Sequence, residues 1–232
     1  MTTTSTAPAH GKQFTLYSHS AGPNPWKVAI IFEELGLSYH SIHISFDVVK
    51  KAPYTDICAN GRLPALVDHH NNDFTIWESG AMIMYLVGKY DPEEKISFKN
   101  YEDNASAVQW LMFQMSGQGP YFGQAGHFLW YHPKKLDSAI NRYVDEIRRV
   151  LSVLEKELTD NNKEWLVGDR VSYADLSFVV WNWMLSRYPV EGWQKEYPKV
   201  AEWDRKLNAR PSVVSCVAQR AAAIAAEAAE AK

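Results

Sequence analysis

Between Asn60 and Gly80 the chain sets a proline, an acid and a hydroxyl where they can hold a ligand. The first segment reads Asn60-Gly-Arg-Leu-Pro-Ala-Leu-Val-Asp68 and the second, after a polar turn, Phe74-Thr-Ile-Trp-Glu-Ser-Gly80. Proline lacks an N–H and is confined to strand ends and edges, so Pro64 marks the entrance of a short apolar strand. A cis Leu63–Pro64 bond turns the chain sharply and leaves the Leu63 backbone able to pair with an extended peptide. Glu78 and Ser79 fall at the start of the next helix, where backbone N–H groups and the helix dipole favour a carboxylate. Such a site suits a small peptide that carries both an amine and a carboxylate.

The elements that must position these residues follow from periodicity. Phe14–Tyr17 reads as a strand, and Ser18-His-Ser-Ala-Gly-Pro-Asn-Pro25 as a punctuated loop. A helix is predicted from about Trp26 to Leu35, with Val28, Ile31 and Leu35 on one face, Pro25 at its first position and Gly36 as its stop. Tyr39–Phe46 alternates as a strand does. Lys50–Ala59 is a polar connection with a weak helical turn, followed by adjacent strands at 65–68 and 74–77 and a helix from Glu78 to Tyr90. The order βαβ, connection, ββα is thioredoxin-like. From Tyr101 onward the period is helical, most clearly along Leu136, Ile140, Tyr143, Val144, Ile147, Val150, Leu151, Leu154 and Leu158.

The expected organisation is therefore a loose tail over 1–12, an α/β thioredoxin-like domain over 13–91, a linker over 92–100 and an all-α domain over 101–232. Ser172 and Asp175 form a capping box before an apolar run, with Val171 and Leu176 as its staple; this signal is structural. The Ala/Glu-rich end either extends the last helix or frays.

Composition narrows the function classes. The 232 residues are 46% hydrophobic and 22% charged, with nine Trp and twelve Tyr, an ordinary globular balance rich in aromatic packing. The formal charge of −3, with Lys and Arg dispersed among acids, gives no draw to nucleic acid or anionic membrane. No apolar run approaches a membrane span and no secretory signal is visible. Cys58 and Cys216 lie far apart with no CxxC, which fits a reducing compartment and a cytosolic location. The eight histidines show neither HExxH nor Cys/His ligand spacing, so no metal site is expected.

Three segments, Gly61-Arg-Leu-Pro-Ala-Leu66, Trp77-Glu-Ser-Gly-Ala-Met-Ile83 and Trp165-Leu-Val-Gly-Asp-Arg-Val-Ser-Tyr-Ala-Asp-Leu176, together resemble the glutathione transferases over nearly the whole chain. Pro23-Asn-Pro-Trp-Lys-Val-Ala29 and Gly119-Pro-Tyr-Phe-Gly-Gln-Ala125 with His127-Phe128 resemble the fungal nitrogen-regulator-like branch and the bacterial nu class. The resemblance implies the glutathione transferase fold, a homodimer, and glutathione as the ligand of the Asn60–Gly80 segment. Glu78 and Ser79 then hold the γ-glutamyl end, the backbone at Leu63-Pro64 pairs with the cysteinyl amide, and Lys50 meets the glycyl carboxylate, with Lys51 and Arg62 as substitutes. The thiol activator matches Asn24, whose amide can donate to sulfur and which can equally be a simple N-cap. Ser18 and Ser20 are alternates, and Tyr17 is more in keeping with packing.

The resemblance also implies a small hydrophobic electrophile as second substrate, meeting the sulfur between the two domains. Gln118, Tyr121, Phe122, His127, Trp130, Trp181 and Asn182 are its candidate contacts, although aromatics at helical spacing are commonly core. The reaction implied is thiolate attack on carbon. Double-bond isomerisation, disulfide reduction and a glutathione-binding regulatory module without turnover are the alternatives. The glycines from Gly117 to Gly123 lack the dinucleotide spacing and predict a bend or a close helix approach.

Overall fold

A computed structural model describes residues 9–160 and 162–230. Most of the expected tail over 1–12 lies outside the described residues. The chain forms two compact units: one joins the N-terminal part through Glu93 with Pro211–Lys232, and the other spans Glu94–Arg210. The last helix thus belongs with the N-terminal unit, where the sequence had suggested one helical domain over 101–232.

The first unit is built on four strands, β1 (Phe14–Ser18), β2 (Tyr39–His43), β3 (Ala65–Asp68) and β4 (Phe74–Trp77), in the order β2-β1-β3-β4. β1 pairs in parallel with β2 and antiparallel with β3, which in turn pairs antiparallel with β4. The parallel pair needs a crossover, supplied by α1 (Pro23–Leu35); a short α2 (Tyr54–Ile57) and α3 (Ser79–Tyr90) complete the α/β body. Gly36 stops α1 in the left-handed conformation that its sequence position predicted.

Two boundaries differ from expectation. α1 begins three residues before Trp26: Gly22 is its N-cap, Pro23 occupies the first turn, and Pro25 is not the first helical residue. β2 ends at His43; Ile44 N–H still reaches Ser18 O (2.9 Å), and Phe46 is exposed.

α1 is buried on nearly every side, from Trp26 and Val28 through Ile30, Ile31 and Phe32. It packs against β1, α3 and the last helix, α10 (Pro211–Glu230), which explains why a helix read as amphipathic is buried on more than one face. Val213 and Cys216 are the fully buried residues of α10. Its polar side chains tie it down: Ser212 Oγ donates to Glu34 (2.5 Å) and Gln219 Nε2 to Glu33 (2.9 Å).

The second unit is helical: α4 (Tyr101–Phe113), α5 (Gly119–Gly126), α6 (Asp137–Asp160), α7 (Tyr173–Asn182), α8 (Trp193–Glu196) and α9 (Pro198–Asn208). π-helical turns at Gln114–Gln118 and His127–Tyr131 flank α5. The expected glycine-permitted approach is not found within Gly117–Gly123, where a Cβ would make ordinary contact, but at Gly126 just beyond it. A Cβ at Gly119 or Gly123 would lie 3.5 or 3.4 Å from the Trp181 ring, and one at Gly126 only 2.8 Å from Trp130.

The capping box is the anchor of this unit. Buried Asp175 accepts from Ser172 N–H, Ser172 Oγ, Leu166 N–H and Trp203 Nε1, each at 2.9 Å. Four donors satisfy a carboxylate that burial alone drives toward protonation.

Candidate functional site

In the first unit the candidate ligand-holding residues converge on the loop before β3 and the start of α3. The Leu63–Pro64 peptide is cis, as is Ala52–Pro53. Tyr54 Oη donates to Arg62 O (2.7 Å) and Cys58 Sγ to the same oxygen (3.4 Å), which fixes the chain immediately before Leu63. Gly61 has φ +57°, and a Cβ there would stand 2.7 Å from Val49 O, so no side chain fits.

Glu78 is the N-cap of α3 and holds φ +74°, a left-handed value that costs a non-glycine residue about 1 kcal/mol or more. Ser79 follows in the first turn and is buried, while the Glu78 side chain is exposed. Asn60 links the two ends of the segment: its Nδ2 donates to Glu78 Oε1 (3.4 Å), and its carbonyl accepts from Lys50 Nζ (3.1 Å). Lys50, Leu63, Pro64, Glu78 and Ser79 thus belong to one unit, with Lys50 and Glu78 joined through Asn60.

Asn24 is the second residue of α1 and half-buried. Because Gly22 is the N-cap, the alternative reading of Asn24 as the cap does not hold. Ser18 is the buried last residue of β1, and Ser20 donates its hydroxyl to Glu227 of α10. Tyr17 packs edge-on against Tyr54 beside Val49, Cys58 and Ala65, and burial raises its pKa.

Two further residues border this region and carried no sequence assignment. Lys27, on α1, is 1% exposed; burial pushes its pKa down to about 7 against the opposing charge of Glu78. Its signal was a lysine inside Trp26-Lys-Val-Ala-Ile-Ile-Phe32, a stretch with no polar face. His19 Nδ1 accepts from Ala21 N–H (3.0 Å) and Gly22 N–H (3.3 Å), folding the loop ahead of α1. Nothing in its sequence context marked it.

The candidate second-substrate residues all lie in the helical unit and divide into two groups. Gln118, Phe122, Trp181 and Asn182 are buried within it. Gln114 Nε2 donates to Gln118 Oε1 (3.0 Å), Gln118 Nε2 to Asn182 Oδ1 (2.8 Å), and Asn182 Nδ2 to Asp204 Oδ1 (2.9 Å). This chain satisfies the polar groups internally, as burial requires. Tyr121, His127 and Trp130 reach solvent. The Trp130 ring stacks on Tyr188, at 5.2 Å between centroids, with the Arg187 guanidinium 4.3 Å from its centre. Among the described residues no group of three His, Cys, Asp or Glu is arranged to hold a metal, and no helix is long and apolar enough to cross a membrane.

Residues 12–88 match the family model of the glutathione S-transferase N-terminal domain, and residues 117–211 that of the C-terminal domain. Glutathione S-transferase 1 of Schizosaccharomyces pombe is 43% identical over 227 residues, covering 91% of this chain and 98% of that protein. The chain belongs to the glutathione S-transferase family.

Within that family it resembles fungal Ure2-like members. The glutathione transferase URE2P6 of Phanerochaete chrysosporium, solved in complex with oxidized glutathione, superposes with TM-score 0.89 at 48% identity, covering 93% of this chain and all of that one. Ure2p5 of the same organism, cocrystallized with 1-(S-glutathionyl)-2,4-dinitrobenzene, superposes with TM-score 0.85 at 43% identity over 94% and 98% of the two chains. The expected family, its fungal nitrogen-regulator-like branch and the fold class are all borne out.

Proposed function

We propose that this family member binds glutathione and activates its thiol for attack on a small hydrophobic electrophile. The observation that carries the reading is Glu78, held at φ +74° on the N-terminus of α3, beside Ser79 and across from Asn60. A strained residue is retained where its side chain must point at something. In this pose the carboxylate takes the ligand's ammonium, and Ser79 with the helix N–H groups takes its α-carboxylate. The Leu63 backbone pairs with the cysteinyl amide, and Lys50 accompanies the glycyl carboxylate.

Asn24 then donates its amide to the sulfur. A free cysteine thiol titrates near ~8.5, and each unit of depression takes about 1.4 kcal/mol of preference for the thiolate. The amide and the N-terminus of α1 both favour the anion. The thiolate forms a C–S bond, the electrophile's leaving group departs with its electron pair, and the thiol proton passes to solvent. Of the alternate hydroxyls, Ser20 already donates to Glu227. Tyr121, His127 and Trp130 are the solvent-reaching candidates for contact with the electrophile.

A second reading, glutathione-dependent reduction of disulfide bonds, draws support from the oxidized glutathione, the product of such a reaction, in the URE2P6 complex. Assays with an aryl halide, a hydroxyethyl disulfide, a hydroperoxide and an unsaturated carbonyl separate these reactions from isomerisation. Asn24→Ala should lower the glutathione-dependent rate at least about tenfold, a loss of ~1.4 kcal/mol, with the fold intact. An unchanged rate discards Asn24, and no rate on any substrate favours a binding module. A homodimer and a cytosolic location belong to the same reading.

A further inference from the structure

We propose that the C-terminal helix α10 is a clamp on the β1–α1 loop, and that Glu227, Arg220 and His19 are positioning residues for thiol activation by Asn24. The inference rests on the function proposed above.

Residues 19–22 join β1 to α1 over a span too short for a regular element, so other groups must hold them. Trp26 Nε1 donates to Ser20 O (2.9 Å) from below. His19 sits inside the turn, taking the N–H groups of Ala21 and Gly22 on Nδ1 and stacking on Phe46 at 3.9 Å between centroids, 13° from parallel. A Cβ at Gly22 would lie 3.4 Å from His19 Cβ and 3.5 Å from Phe46 Cζ, in ordinary contact, so Gly22 packs beside this ring. Two backbone donors on Nδ1 require the neutral tautomer with its proton on Nε2. Burial lowers the pKa of His19 in the same sense; Glu227 of α10 opposes it, and His43 of β2 adds to it.

From the other side α10 makes two fastenings. Arg220 Nη2 donates to Ala21 O (3.1 Å), and Glu227 accepts the Ser20 hydroxyl. The two residues are seven apart, hence on one helix face. Between them Ala223 and Ala226 line a cleft of about 370 Å3 with His19, Ser20, His43, Ile44, Ser45 and Glu227. Alanine side chains let the helix lie close enough for both bonds to form. The loop is therefore bound at two successive residues, Ser20 and Ala21, three to four positions before Asn24. A donor displaced by 1 Å loses about a hundredfold in favourable cases, so a loop held at both residues matters to the chemistry.

The test uses the full chain and reads the bound glutathione thiol by its thiolate ultraviolet absorbance across pH, together with kcat, glutathione affinity and Tm. Glu227→Ala and Ser20→Ala should each raise the bound thiol's pKa and lower kcat about fivefold, and the double variant should lose no more than either. Arg220→Met should act in the same direction, while Glu227→Gln, which keeps an acceptor for Ser20, should restore most of the rate. Glutathione affinity should stay within about twofold, because Glu78 and Ser79 are untouched. Unchanged thiol pKa and kcat in Glu227→Ala, Ser20→Ala, their double variant and Arg220→Met overturns the clamp, as does a lowered Tm with no change in thiol pKa. A Ser20→Ala loss not reproduced by Glu227→Ala also overturns it, since Ser20 would then be the donor itself. Asn24→Ala run alongside keeps the two ideas apart: a thiol pKa raised by Asn24→Ala but by none of the clamp variants removes the clamp alone. No shift with Asn24→Ala removes both.

Discussion

At the scale of single residues, the site combines a strained carboxylate with a buried cation on the same unit. Glu78 gives up backbone comfort, so Glu78→Gly should raise stability by about 1 kcal/mol in chemical denaturation. The same change should weaken glutathione binding at least about tenfold by calorimetry, because a charge-assisted bond to an ammonium contributes roughly 1.5–3 kcal/mol. Lys27 is the opposite case. Its folded-state pKa of about 7 lies below the ordinary lysine value, so between about 7 and ~10.4 the unfolded chain binds more protons than the folded one. Stability tied to this group therefore rises with pH across that window and is lowest below it, where a charged ammonium is buried. Lys27→Met should raise Tm more at pH ~6 than at pH ~9 relative to the parent chain; an equal shift at both would mean that burial does not depress the Lys27 pKa in the fold.

At the scale of elements, helix ends matter more than helix faces. Asp175 closes the N-terminus of α7 and at the same time receives the Leu166 backbone and the Trp203 indole. Asp175→Ala leaves these donors buried without an acceptor and should cost about 3 kcal/mol or more, read as a lowered urea midpoint. Substitution at the exposed Asp169 on the neighbouring loop should leave the unfolding free energy within about 0.5 kcal/mol of the parent. α10 shows the complementary behaviour. Its alanine-rich sequence offers no apolar stripe, yet it buries Val213 and Cys216 against the first unit and fastens through Ser212, Gln219, Arg220 and Glu227.

At the scale of the whole molecule, each unit carries large apolar side chains in solvent. Phe74, Trp77 and Met84 stand out on the first unit, at the edge strand β4 and on α3, and Met112 on the second. Such residues suit a second copy of this chain, which the family resemblance implies. Light scattering should give a dimer mass, and Trp77→Glu should shift it toward monomer with the helical circular dichroism kept. A monomer at micromolar concentration in the parent chain would remove this expectation.

Local sequence alone determined the framework of the candidate site. β3 and β4 begin and end where alternation and flanking polar turns placed them, and Glu78-Ser79 opens α3, because period and punctuation are properties of neighbours in the chain. The capping box of α7 was legible for the same reason: its partners are three residues apart. Tertiary structure decided the rest. Pro23-Asn-Pro25 reads as loop punctuation, yet Gly22 caps and Pro23 starts a helix that tertiary burial then wraps on all sides. Gln118 and Asn182, polar residues that suggested a pocket, spend their amides on each other across 64 positions of sequence. Lys27, His19 and Glu227 acquire their meaning only from partners far along the chain or from burial. No local period encodes a contact between the first loop of a chain and its last helix, so only the folded molecule brings Ser20 to Glu227.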